Sequence, residues 1–174
     1  MKEKILTTPL KEEEIRIWVG DVVYLKGRIF TSRDMGHLRI KNKLEQKESL
    51  PVNFQGAAIF HAGPVVKESG DKWDLVVIGP TTSIRMEPYA DMVGELGVRA
   101  IIGKGGMAEA SLEAYKKYGG VYLQAAPGCA VKLADGIDYI EDVHWLDLGI
   151  PEALWVLNAR MFGPLVVAMD SHGA

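Results

Sequence analysis

Arg33, Arg85 and Lys104 stand in three separate segments, each where an apolar run gives way to glycine, serine or threonine. In segment 79–88, Thr81, Thr82 and Ser83 precede Arg85, just ahead of Pro88. Three hydroxyls, free backbone N–H groups at a helix start and a guanidinium outline an anion site, because a guanidinium grips two carboxylate oxygens in parallel. The same residues admit another reading, in which the hydroxyls cap or turn the chain and Arg85 pairs with a surface acid. Lys104, between Gly103 and Gly105, offers a second point charge, or is a solvated loop lysine. It is not a phosphate-binding P-loop lysine, which is followed by serine or threonine rather than Gly105. Gly103, Gly105 and Ala108 match a dinucleotide fingerprint, but the strand ending near Gln124 lacks the acidic residue that a ribose requires. Arg33 and His37 follow another strand, where Arg33 would form a second carboxylate clamp unless both are surface groups. His61, His144 and His172 are scattered without ligand spacing, so no metal site is expected in this chain. Cys129 has no base positioned beside it and reads as a buried structural thiol.

The elements that position these residues are legible from periodicity. Residues 22–31 read as a strand and residues 34–46 as a helix, which delivers Arg33 to a strand-to-helix junction. Residues 57–61 and 65–67 read as short strands interrupted by Gly63 and Pro64, as at a sheet corner. The apolar run 73–78 reads as a buried strand ending in Gly79 and Pro80. Residues 88–96 follow as a helix, 99–102 as a strand, 107–118 as a helix stopped by Gly119 and Gly120, and 121–123 as a strand. Strands alternating with helices predict parallel strands joined by crossovers, with ligand groups at their C-terminal ends. Residues 139–148, 154–157 and 165–169 are again β-rich and predict a second sheet layer, behind a polar N-terminal lead. Trp73, Trp145 and Trp155 lie in apolar runs and are expected in the core.

Composition sets the outer bounds. A chain of 174 residues, 48% of them hydrophobic, can bury one substantial core, and no repeat or linker divides it, so one domain over residues 1–174 is expected. Twenty basic against 23 acidic residues, in no long run of either sign, give no footprint for nucleic acid or an anionic membrane. One cysteine excludes an internal disulfide and an iron–sulfur cluster held by this chain alone. No apolar stretch is long enough to span a bilayer, and the expected compartment is the cytoplasm.

Four ordered motifs together are more specific than any one of them: residues 31–37 (Thr-Ser-Arg-Asp-Met-Gly-His), 79–86 (Gly-Pro-Thr-Thr-Ser-Ile-Arg-Met), 102–107 (Ile-Gly-Lys-Gly-Gly-Met) and 148–155 (Leu-Gly-Ile-Pro-Glu-Ala-Leu-Trp). Across residues 6–173 the chain resembles the C-terminal domain of class I fumarases and the β subunit of tartrate dehydratase. The resemblance implies an α/β fold, a three-layer β/β/α swivelling domain with a partly parallel central sheet. It implies a hydro-lyase of four-carbon dicarboxylates dependent on a 4Fe-4S cluster, whose ligands and Lewis-acid iron belong to a partner α subunit, in an α2β2 assembly. Arg33, Arg85, Lys104 and His37 would bind substrate, His37 by orienting Arg33, and Thr81, with Thr82 second to it, would serve proton transfer with a base from the partner. Ile84 replaces a small residue expected there. Fumarate hydratase is the leading reading, with tartrate dehydratase and mesaconate or fumarate hydratase as close alternatives. A stand-alone carboxylate-binding or regulatory module is the alternative of another class.

Overall fold

The computed structural model describes residues 3–125 and 130–174, so Cys129 lies outside the described residues. In chain order the elements are β1 (Glu3–Thr7), β2 (Val22–Thr31), α1 (Asp34–Glu45), β3 (Ala58–Phe60), β4 (Ala62–Ser69), β5 (Lys72–Pro80), α2 (Ala90–Glu95), β6 (Ala100–Gly103), α3 (Glu109–Tyr118), β7 (Val121–Ala125), α4 (Ala130–Asp135), β8 (Ile137–His144) and β9 (Leu154–Met169). Short 3-10 segments occupy Glu12–Ile15, Ser83–Tyr89 and Leu146–Leu148. Among the described residues no helix is long and apolar enough to cross a membrane.

A mixed seven-stranded sheet dominates, in the order β1-β2-β3-β6-β7-β9-β8. β1, β2, β3, β6 and β7 pair in parallel, and β9 runs antiparallel to β7, β8 and β2. Because β9 pairs with β2 on one edge and β7 on the other, strands β2, β3, β6, β7 and β9 close into a ring. Side chains alternate across it, as pleated strands require. Ile29, Ala58, Phe60, Ile102, Leu123, Trp155 and Leu157 face one core, which the β4–β5 hairpin and α4 cover through Leu75, Trp73 and Leu133. Phe30, Ile59, Ile101, Tyr122, Leu154 and Val156 face the other, closed by α1, α2 and α3 through Ile40, Val93 and Tyr115. Strands covered on both faces read as continuous apolar runs, which is why 99–102 and 121–123 were legible.

Several expectations are corrected. The polar lead contains β1, whose Leu6 is buried against the first core. β4 runs through Gly63 and Pro64 instead of breaking there, since its pairing with β5 alone leaves a free edge that tolerates a residue lacking an N–H. Gly63 is needed for approach, because a Cβ there would come within 2.8 Å of the Pro151 carbonyl oxygen. The run 73–78 is not a buried parallel strand. It is β5 of the two-stranded hairpin, with Val76 51% exposed, and the connection from β3 to β6 carries that whole hairpin. Helix 88–96 is two pieces, a 3-10 turn at Ser83–Tyr89 containing Pro88 and then α2. Residues after 138 add no second layer: 154–157 and 165–169 are parts of the one long strand β9 in the main sheet. Of the three tryptophans expected in the core, only Trp155 is fully buried, while Trp73 and Trp145 are half-buried.

Trp155 is 0% exposed, meets Trp73 edge-on and donates its indole N–H to the Ile150 carbonyl at 2.8 Å. Trp155→Ala is expected to lower unfolding free energy by about 3–5 kcal/mol in urea titrations, against roughly 0.5 kcal/mol for the surface change Met161→Ala.

Candidate active site at the parallel strand ends

The C-terminal ends of β2, β3 and β6 are adjacent, and backbone hydrogen bonds carry their order into the loops beyond. The Ser32 N–H donates to the Phe60 carbonyl (3.1 Å), and the His61 N–H to the Ile102 carbonyl (2.8 Å). The Thr81 N–H, returning from the hairpin, donates to the His61 carbonyl (2.7 Å), and the Ser83 N–H to the Lys104 carbonyl (3.2 Å). Thr82 and Lys104 form a β-bridge. Three loops distant in sequence thereby become neighbours, each carrying one of the expected cations.

Arg85 touches both of its sequence readings. Its Nε donates to the two carboxylate oxygens of Asp34 at 3.2 and 3.1 Å, so it does pair with an acid at the surface. Its Nη2 also donates to Thr81 Oγ1 at 3.0 Å. Asp34 is the first residue of α1 and Arg33 its N-cap, so the acid that holds Arg85 follows Arg33 directly in the chain. Arg33 faces Glu152 at 3.7 Å from its Nε, which is an ion pair and not a hydrogen bond, and that Nε is buried with no hydrogen-bond partner. Glu152 spends its other oxygen on the Met35 N–H at the start of α1 (3.1 Å). Lys104 is exposed and forms no ion pair among the described residues. Three cations thus face two internal carboxylates, leaving a net positive charge that suits an anion.

At the helix start expected in segment 79–88, one amide is already spent. The segment leads into a 3-10 turn whose first N–H, that of Ser83, is spent on Lys104, and Thr82 makes no side-chain cap. The amides at the start of α3 are likewise occupied: Glu87 accepts from the N–H groups of Ala108, Ala110 and Ser111 and from the Ser111 hydroxyl. The side-chain cations Arg33, Arg85 and Lys104 are the charges that this surface offers an anion.

Beneath this surface lie two buried histidines. His37 Nδ1 is 2.9 Å from the Arg33 carbonyl and 3.0 Å from Ser32 Oγ; a carbonyl only accepts, so Nδ1 carries the proton. With 1% exposure, His37 reaches any ligand only through the turn that presents Arg33. His61 Nδ1 lies 2.9 Å from Ser83 Oγ, to which Tyr122 Oη donates at 3.0 Å. The two imidazoles meet edge-on, 5.3 Å apart. Burial drives the His37 pKa down to about 4, against opposition from the Arg33 carbonyl and the Asp34 charge. His61 is pushed well below its ordinary range by burial, then by His37 and Arg85.

All of Arg33, Thr81, Thr82, Arg85 and Lys104 converge here, with His37 underneath. Sequence reasoning set aside His61 as scattered and did not see Asp34, Glu152 or Glu87. Asp34 meets Arg85 across 51 residues and Glu152 meets Met35 across 117, separations at which no local pattern gives a signal.

The histidines couple stability to pH. The unfolded His37 titrates near 6.5 and the folded one near 4, so between these values the unfolded chain binds more protons. Its contribution is complete above pH 6.5 and lost as pH falls towards 4, on the order of 3 kcal/mol, with His61 acting in the same sense. Urea midpoints from pH 7 to pH 4 are expected to fall less steeply in His37→Gln than in the parent chain.

Known proteins share this sequence plan. The family described as fumarase C-terminus matches residues 2–174. The chain is 46% identical over 173 residues to a protein of Escherichia coli (strain K12) named L(+)-tartrate dehydratase subunit beta, covering 98% of this chain and 85% of that one. It is 47% identical over 165 residues to a Methanocaldococcus jannaschii protein named putative L(+)-tartrate dehydratase subunit beta, covering 94% and 85%. It is also 46% identical over 171 residues to a Geobacillus stearothermophilus protein named putative fumarate hydratase class I, covering 97% of this chain but 32% of that longer one. With one family matched across essentially its whole length, and with the strand-end motifs in place, the chain belongs to the fumarase C-terminus family.

Proposed function

We propose that this chain is the β subunit of a hydro-lyase that adds water to, or removes it from, a four-carbon dicarboxylate. The observation that carries the reading is the meeting of Arg33, Arg85 and Lys104 with Thr81 and Thr82 where β2, β3 and β6 end. Two guanidinium groups and an ammonium match a dianion whose carboxylates lie a few bonds apart. Asp34 grips Arg85 through Nε, which sets the plane of the guanidinium while Nη1 stays clear of it. Arg33 is held by its ion pair with Glu152 at the start of α1, with its Nε buried on that side.

Thr81 Oγ1 accepts a hydrogen bond from Arg85 Nη2, so its own O–H proton is available for donation toward the substrate carbon that gains hydrogen. A threonine hydroxyl is a weak base, so the return step requires a carboxylate outside this chain. Thr82, bridged to Lys104, is held alongside but lacks the guanidinium contact.

The residues of this chain do not fit a four-iron cluster. Its sequence holds one cysteine, and among the described residues no group of three or more His, Cys, Asp or Glu is arranged to hold a metal ion. The reading therefore places the cluster on an α subunit, over which this domain closes in an α2β2 assembly. The subunit names of the relatives support a partner. Fumarate and malate are the leading substrate pair. L-tartrate is the second reading, favoured by the names of the relatives that this chain covers over 85% of their length.

Co-expression with a cysteine-bearing α subunit, followed by anaerobic assay on fumarate, L-malate and L-tartrate, tests the proposal. Turnover of any of these supports it and names the substrate; none, with a correctly assembled and iron-loaded pair, overturns it in favour of a binding module. The chain purified alone is expected to carry no stoichiometric iron. In the assembled enzyme, Arg85→Lys should lower kcat/KM by about 2–3 kcal/mol of transition-state stabilisation, because lysine keeps the charge but loses the fork that spans Asp34 and Thr81. Thr81→Val should reduce kcat while changing KM little, and Thr82→Val should reduce it less; equal full turnover in both would remove the loop from proton transfer.

A further inference from the structure

The loop that presents Thr81 and Thr82 is anchored from below by a buried relay that begins on β7. Tyr122 Oη donates to Ser83 Oγ at 3.0 Å, and Ser83 Oγ lies 2.9 Å from His61 Nδ1. All three residues are buried. With the tyrosine proton directed at its oxygen, the serine hydroxyl directs its own proton at Nδ1, which leaves the imidazole proton of neutral His61 on Nε2. Space for Ser83 exists only because β6 ends in glycine: a Cβ on Gly103 would come within 1.7 Å of Ser83 Oγ. His61 therefore holds the loop at two points, accepting the Thr81 N–H on its carbonyl oxygen at 2.7 Å and the Ser83 hydroxyl on its ring. Between those two points lies Thr82, and Ser83 in turn bonds the Lys104 carbonyl at 3.2 Å.

We infer that His61 is a positioning residue: through Ser83, Tyr122 and its own carbonyl it sets the orientation of Thr81 and Thr82 against Lys104. The geometry stands by itself, and its consequence for turnover rests on the dicarboxylate reading above. A neutral acceptor suits the place. A cation here would add to the repulsion among Arg33, Arg85 and Lys104, and a buried carboxylate would draw them away from the ligand.

The test uses His61→Leu, His61→Asn and Ser83→Ala, each in the chain alone and assembled with its cluster-bearing partner. Asparagine carries an acceptor near the position of Nδ1, whereas leucine carries none. His61→Leu and Ser83→Ala are expected to lower kcat about tenfold or more with KM within about threefold, since small misplacement of a reacting group is costly in rate. His61→Asn should recover most of that loss. In the isolated chain, amide hydrogen exchange at Thr81 and Ser83 should accelerate in the leucine and alanine variants and remain slow in the asparagine variant. Unchanged kcat in His61→Leu, or an asparagine variant as impaired as the leucine one, overturns the inference. An assembled parent enzyme without hydro-lyase turnover defeats the dicarboxylate reading instead, and exchange at Thr81 and Ser83 then decides alone: no acceleration in His61→Leu rejects the positioning role.

Discussion

Side-by-side termination of β2, β3 and β6 is the constraint on which the rest of this molecule depends. A parallel strand that ends leaves N–H and C=O groups facing the next strand, and inside a protein those groups must find partners. Here they find one another across the loops, from Ser32 to Phe60, from His61 to Ile102 and from Thr81 to His61. Hydrogen bonds that satisfy the backbone therefore also determine which side chains become neighbours. Arg33, Thr81 and Lys104 are brought together as a by-product of ending three strands without orphaned amides.

Charge is arranged on that frame with a small surplus. Asp34 and Glu152 keep the guanidinium groups of Arg85 and Arg33 in defined places while leaving Lys104 exposed. Two acids against three cations hold like charges together without cancelling them. Glu87 accepts amides at the start of α3 and Glu152 one amide at the start of α1, where a carboxylate also complements the helix dipole.

Rigidity comes from the ring beneath. β9 closes the sheet by reaching from β2 to β7, and the side chains of the closed strands alternate between two cores. A loop rooted in such strands loses little order when its tip meets a ligand, because its roots cannot shift without opening a packed core. The buried histidines lie at this boundary, within the second core's upper edge but bonded to the loops, and their neutrality is a product of the burial that makes the boundary firm.

By itself the sequence determined β2 and α1 almost to the residue, the strands β6 and β7, the α3 helix with its glycine stop, and the cations and hydroxyls that meet at the site. Those features depend on local periodicity and on turn chemistry, which neighbouring residues carry. Only the tertiary structure decided that β5 belongs to a half-exposed hairpin, since Trp73, Leu75 and Val77 alternate with exposed neighbours that an apolar run conceals. Only the tertiary structure decided that β9 is one strand closing a ring, that Asp34 serves Arg85, and that His61 lies under the threonines. Each of these is a pairing between segments far apart in the chain, and pairing at a distance is settled by which faces must be buried together, a quantity that no single segment contains.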